Sequence, residues 1–264
     1  MNEKIMKRVQ EHYDTVVSLG YECVFCGLYG SQNYKLDNEN SDVDTKAIVL
    51  PTFEDIVSNR HPVSCEHVNE DGSHIDIKDI RLMFNEFKKA NTNFVELLFT
   101  EYKVINKKYA HDFNIVLNHK EDIARYKPIA ALKCATGTAT GKFKALEKEF
   151  DYKVASTILR LEDFMINYID GKDYADCIVP AELELIRSVK NGTCHMTSDV
   201  LFKKCEYAVE HCKLLLETYE KLHNPEVNTE VDKLLHDATG SILYMWLKED
   251  MKDFAFNLFY NQLN

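Results

Sequence analysis

The chain has 264 residues, enough to bury a full core, and 45% of them are hydrophobic. Its 32 Lys and Arg against 43 Asp and Glu give a formal charge of -11, which argues against a protein that depends on non-specific attraction to nucleic-acid phosphates. The charged opening Met1-Asn2-Glu3-Lys4 and the lack of any run near the ~18 to 20 apolar residues a membrane span needs speak against export and against a membrane partner, so a cytoplasmic protein with reduced thiols is expected.

Ile5, Val9, Tyr13, Val16 and Val17 recur at helical spacing and predict a first helix that stops at Gly20. Residues 23–29 form an apolar run fit for a buried strand, which Gly30-Ser31 ends. Glycine lets backbone approach a ligand closely, and Ser31 is expected to cap a short helix whose free N–H groups suit a phosphate. A polar loop then leads to Asp42-Val43-Asp44, which opens a second strand ending at Pro51. Residues two apart share a strand face, so Asp42 and Asp44 would repel each other unless a hard cation such as Mg²⁺ lies with them. The other reading of Asp42 is a plain turn residue.

Thr52 caps a short helix, and a hairpin follows over roughly 62–78, with His74, Asp76 and Lys78 on one face. Asp76 is the candidate third acid, because displacement at phosphorus commonly uses two cations about 3.5 to 4 Å apart that share carboxylates. Asp79 is its rival, although it reads more simply as the N-cap of the next helix. Helical segments near 82–87 and 94–98 and a last strand near 102–105 complete this part.

From Lys107 onward strand signals vanish. Helices are predicted over 127–149, 152–169, 180–189, 198–223 and 227–258, with breaks at Gly171, Asn191-Gly192 and Asn224-Pro225. The expected organisation is α+β, with a unit at 1–106 followed by an all-α unit at 107–264. Lys142 and Lys144, with Lys153 and Arg160 on the next helix, are the candidate source of a local basic groove. Residues 136–143 imitate a P-loop but carry Thr136 and Phe143 where its first glycine and its metal-binding hydroxyl belong, so they read as a helix contact through small residues with Lys142 toward a cleft. Cys23 and Cys26 lie inside an apolar run with no second Cys-x-x-Cys, and the histidines have no ligand spacing. The aromatic residues near 243–246 and 254–260 read as packing or a dimer contact rather than base stacking.

Gly30-Ser31-Gln32-Asn33-Tyr34-Lys35-Leu36, then Asn40-Ser41-Asp42-Val43-Asp44-Thr45-Lys46, resembles the Gly-Ser-x-x-Tyr-Gly-Leu … Ser-Asp-x-Asp signature of predicted nucleotidyltransferases in the DNA polymerase β superfamily, in its bacterial, phage-borne and RNA-repair-associated branch. Residues 91–99 are similar to that branch's Asn-Pro-x-x-x-Glu-Leu-Leu segment, and 153–161 with 182–192 to its helical tail. Lys35 stands where the family has Gly, which would tighten the loop or add a phosphate-binding cation.

The resemblance implies a polymerase-β-like mixed sheet with flanking helices, followed by a helical domain that completes a cleft. It implies that Asp42, Asp44 and Asp76 bind Mg²⁺ or Mn²⁺, with Asp76 also as the base. Gly30 and Ser31 would hold the β- and γ-phosphates of a nucleoside triphosphate, with Tyr34, Lys35, Lys142, Lys153 and Arg160 as further contacts. An acceptor hydroxyl on a small molecule, a protein or an RNA 3′ end would attack the α-phosphorus and expel pyrophosphate. Glu96 is expected to buttress the sheet rather than to react, with a supporting role behind the metal ligands left open. The alternatives are a non-catalytic nucleotide-binding protein on the same fold and a metal-dependent phosphohydrolase.

Overall fold

The structure, a computed structural model, describes residues 2–38, 41–223 and 229–263, with side chains described as far as 257. Asn40, the Asn224-Pro225 break and the side chains of Phe259 and Tyr260, all invoked above, lie outside the described residues.

Helix α1 (Glu3–Ser18) begins where the Asn2 side chain accepts from the Lys4 N–H and ends before Gly20 at φ +91°, a conformation glycine adopts without a Cβ clash. Next come strands β1 (Glu22–Leu28) and β2 (Thr45–Leu50), then helix α2 (Phe53–Val57), opened by the predicted Thr52 cap with Asp55 bonding back. The hairpin is β3 (Ser64–Val68) and β4 (His74–Asp79), which runs directly into α3 (Ile80–Lys88). Helix α4 (Thr92–Val95) passes into a 3₁₀ turn (Glu96–Leu98), and β5 (Lys103–Ile105) closes the α+β part.

The rest is helical: α5 (Ala110–Asn118), α6 (Lys120–Arg125), α7 (Pro128–Leu146), α8 (Tyr152–Ile169), α9 (Tyr174–Ile178), α10 (Leu183–Lys190), α11 (Ser198–Leu222) and α12 (Thr229–Leu263). The sequence gives no sign of α5, α6 or α9. Helices α6 and α9 are too short to develop a helical period, and α5 buries only Phe113 and Val116.

The five strands form one mixed sheet in the order β3-β4-β2-β1-β5, with β2 and β4 parallel and every other pair antiparallel. Strand alternation divides its side chains between two cores. Cys23, Cys26, Ala47, Val49, Ile75 and Ile77 face Val9 and Val16 of α1. Phe25, Ile48 and Leu50 face the other way, into a larger core that runs through α3, α5, α7, α8 and α11 to Ile242 of α12. This larger core therefore spans residue 106. Helix α12 returns to the first part and packs on α2, α3 and α5, with Trp246 Nε1 donating to the Pro51 carbonyl at 2.7 Å and Phe254 edge-on to Phe53. Trp246 and Phe254 pack, as their spacing predicts, while Tyr244 and Phe256 each stay 67% exposed.

A bulge between Cys23 and Phe25 swings Phe25 onto the larger core, where its ring stacks on Phe113 at 4.9 Å. The ring also covers Gly27, and a Cβ on Gly27 would stand 2.6 Å from Phe25 Cε1. Gly27→Ala is therefore expected to lower stability by about 1–3 kcal/mol through overpacking, read as a lower urea midpoint at an unchanged slope.

Candidate functional site

Because β1 and β2 are antiparallel, the exit of one and the entry of the other lie at the same end of the sheet. The Tyr29 N–H donates to the Asp44 carbonyl at 3.1 Å and prolongs the ladder by one rung, which brings Gly30-Ser31 beside Asp44. Residues 30–36 close on themselves as turns, with Asn33 N–H on the Gly30 carbonyl at 3.0 Å and Leu36 N–H on the Ser31 carbonyl at 2.9 Å. No helix follows, so Ser31 caps none, contrary to the sequence expectation. The segment is too short for a helical nucleus, and the left-handed backbone at Gly30 (φ +94°) and Lys35 (φ +58°) breaks it at both ends.

Lys35 is left-handed at φ +58°, a conformation that a side chain adopts only at a cost. Helix α10 holds the turn in place. Arg187 Nη2 donates to the Lys35 carbonyl at 2.6 Å, Lys190 Nζ to the Leu36 carbonyl at 2.7 Å, and Asn38 Nδ2 bonds Asn191 Oδ1 at 2.7 Å. The Lys35 side chain is exposed and does not line the cavity described below.

Asp42 and Asp44 precede β2 rather than opening it, which corrects the reading that strand alternation pairs them. Asp44 Oδ1 accepts the His74 N–H at 2.9 Å, while Asp42 is exposed and its carbonyl accepts from Gln32 Nε2 at 2.6 Å. These bonds tie the turn, the Asp-x-Asp segment and the start of β4 together.

A cavity of about 520 Å³ lies between this end of the sheet and helices α7, α8 and α10. Gly30, Ser31, Tyr34 and Asp44 line one side, and Lys142, Lys153 and Arg160 line the other. Seven residues singled out in the sequence thus meet in one place, whereas Asp42, Asp76 and Lys35 do not line it. Among the residues that sequence reasoning left out of the site, three with charged side chains also line the cavity: Lys46, Glu96 and Lys190. Lys46 had a signal, a lysine in an otherwise apolar strand, 6% exposed. Lys190 had none, because only the packing of α10 on α8 brings it here. The wall carries five cationic side chains, Lys46, Lys142, Lys153, Arg160 and Lys190, against the two carboxylates Asp44 and Glu96. In a chain of net charge -11, that local excess favours an anion.

Glu96 sits in the 3₁₀ turn, 3% exposed, and accepts a bond from the Tyr34 hydroxyl. Burial raises its carboxyl above the ordinary range, against the lowering effects of the Arg160 charge, the Tyr34 hydroxyl, Lys46 and the Gly30 N–H. The Arg160 guanidinium lies 3.7 Å from the centre of the Tyr34 ring, a cation–π contact that fixes both. Burial, and then the Lys153 charge, lowers the Lys190 ammonium.

Asp76, His74 and Lys78 share a face of β4, as alternation predicts. The carboxylate of Asp76 is taken by lysines, with Lys46 Nζ 2.9 Å from Oδ2 and Lys78 Nζ 3.5 Å from Oδ1. Its rival Asp79 is the predicted N-cap of α3 and is bound through both oxygens to Arg81. Among the described residues no three His, Cys, Asp or Glu side chains are grouped so as to hold a metal ion. Asp42 and Asp44 keep the oxygen chemistry that a hard cation selects, but Asp76, with an ammonium at each oxygen, does not fit as a ligand shared between two ions.

The P-loop imitation lies wholly within α7, and a Cβ on Gly137 or Gly141 would meet nothing within 4 Å. The helix contact through small residues expected there is made by Thr136 and Ala139, with Ala135 beside them, and Lys142 lines the cavity. Cys23 and Cys26 are buried thiols, the latter pushed up to about 12 by burial, and behave as small core residues. No helix among the described residues is long and apolar enough to cross a membrane. Compared with known proteins, the chain matches no family model and no curated protein.

Proposed function

We propose that the cavity binds a nucleoside triphosphate and that the chain transfers its nucleoside monophosphate to an acceptor hydroxyl, with release of pyrophosphate, on a polymerase-β-like fold. The observation that carries this reading is the cavity itself, where a Gly-Ser turn and an aspartate stand opposite a cationic wall drawn from three helices. A compact polyanion suits five cationic side chains, and the Ser31 hydroxyl and turn backbone offer donors to phosphate oxygens. Mg²⁺ or Mn²⁺ held at Asp42 and Asp44 would supply charge neutralisation for the phosphates. Arg160, held over Tyr34, presents its charge to the cavity in one orientation, so little side-chain freedom is lost on binding.

In the transfer, the acceptor oxygen bonds to the α-phosphorus and releases its proton to water, the bond from the α-phosphorus to the bridging oxygen breaks, and pyrophosphate leaves with the electron pair. Lysines on α7, α8 and α10 would meet the charge that develops on it. A small-molecule or protein acceptor agrees better with the overall acidity than long nucleic acid, and an RNA 3′ end is the remaining class.

The test offers ATP, GTP, CTP and UTP, labelled at the α- or γ-phosphate, with Mg²⁺ or Mn²⁺ over RNA, small-alcohol and protein acceptors. Label from the α-position in an acceptor and γ-label in pyrophosphate are expected. No cation-dependent turnover of any triphosphate removes the enzyme reading. Triphosphate binding without turnover selects the alternative of a non-catalytic nucleotide-binding protein, which the engagement of Asp76 by two lysines favours. Release of inorganic phosphate to water selects a phosphohydrolase.

Lys142→Met and Lys153→Met are each expected to weaken ATP binding about 3- to 10-fold at low salt, and less as salt is raised, since each removes one screened charge from the wall. Titration calorimetry at two ionic strengths reads this directly.

A further inference from the structure

We propose that Lys46 takes the place of a second metal ion: the site binds one divalent cation on the Asp42 and Asp44 side, and Asp76 belongs to the lysine. This rests on the nucleotidyl-transfer reading above. Register brings the pair together, because Lys46 of β2 lies opposite Asp76 of the parallel strand β4, and neighbours in register project to the same face. Lys46 Nζ stands 2.9 Å from Asp76 Oδ2, and Lys78 Nζ stands 3.5 Å from Oδ1, so each carboxylate oxygen already faces a positive charge.

Lys46 is also held from the other side. Its ammonium lies 3.9 Å from the centre of the Tyr29 ring and 4.6 Å from that of Phe94, both cavity residues whose ring faces attract a cation. With 6% of the residue exposed, this is a fixed buried charge rather than a surface lysine at rest. A cation shared by Asp44 and Asp76 would have to bring an Asp76 oxygen within about 2.0–2.2 Å, in the space the ammonium fills. The buried carboxylate of the cavity, Glu96, is engaged by Tyr34 and offers no replacement ligand. A lysine charge has one further consequence: it is present before the nucleotide arrives and does not dissociate with the product.

The experiment counts Mn²⁺ bound to the full chain without nucleotide, by the electron paramagnetic resonance signal of the free ion. Wild type is expected to bind one Mn²⁺ per chain. Asp76→Asn should leave that affinity within twofold, and Asp44→Asn should weaken it tenfold or more. Lys46→Met frees Oδ2 of Asp76, with Lys78 left on Oδ1, and should admit a second Mn²⁺ there, whereas Lys46→Arg keeps the charge and should hold the count at one. The proposal is overturned by two Mn²⁺ or none on wild type, by tenfold weaker binding in Asp76→Asn, or by a folded Lys46→Met that gains no ion. If Lys46→Met or Asp76→Asn does not fold, the counts on wild type and Lys46→Arg decide. ATP binding in the presence of a chelator is measured separately, so a failure of the nucleotide reading appears there and leaves the Mn²⁺ count intact.

Discussion

Asp44→Asn is expected to lower transfer of α-label by about a thousandfold while leaving the fold intact, the larger of the two strongest effects foreseen for this chain. Asparagine keeps an oxygen for the His74 N–H, so the link between the Asp-x-Asp segment and β4 survives. What is lost is the charge, and loss of one group that stabilises charge in a transition state costs ~10²- to 10³-fold, with cation binding lost in addition. Unfolding free energies of the two proteins from urea titration should agree within about 0.5 kcal/mol. A folded Asp44→Asn that transfers label within tenfold of the wild-type rate would remove Asp44 from the machinery.

Acidification should weaken the fold through His12, 1% exposed beneath the sheet. Its Nδ1 is 2.9 Å from Thr45 Oγ1 and its Nε2 is 3.1 Å from Ser73 Oγ and from Asn69 Nδ2. Burial first, then the Arg8 charge, lowers its pKa from 6.5 to about 4. The unfolded chain therefore takes up this proton first as pH falls. The contribution of His12 is whole above about pH 6.5 and declines toward pH 4, by about 3 kcal/mol at an exchange of about 1.4 kcal/mol per unit. Glu96 acts with the opposite sign: its raised carboxyl stabilises most when protonated, below its unfolded value, and loses that as pH rises through its folded value. The His12 effect is isolated by comparison with His12→Leu, whose denaturation midpoint should vary less with pH between 6.5 and 4. At pH 7 that variant should be weaker by about 1–3 kcal/mol, because the Thr45 and Ser73 hydroxyls lose a buried partner. Equal slopes against pH in the two proteins would remove His12 as the cause.

His12 also marks where sequence reading stops. Ten histidines without ligand spacing gave no reason to single it out, and its burial arises only because α1 lies across the face of the sheet that Thr45 enters. Asp76 shows the same limit differently. Alternation placed it correctly on a face with Lys78, but nothing along β4 tells that Lys46 of another strand stands opposite, since the parallel register of β2 and β4 is a tertiary fact. The turn at 30–36 was legible as a turn and misread as the cap of a helix, because propensity does not reveal that Lys35 would be held left-handed by Arg187 and Lys190 from more than 150 residues away.

By itself, then, the sequence determined what depends on period and local capping. These are the strands about Gly30-Ser31 and Thr45, the caps at Thr52 and Asp79, and the long helices after residue 127. It could do so because strand alternation, helical spacing and capping bonds act over a few residues. The tertiary structure alone decided which charges face one another. It set Lys142, Lys153, Arg160 and Lys190 across from the Gly-Ser turn and gave Asp76 to Lys46. Helix packing and strand register fix those distances, and the strength of a charge pair follows distance and burial, which no spacing along the chain encodes.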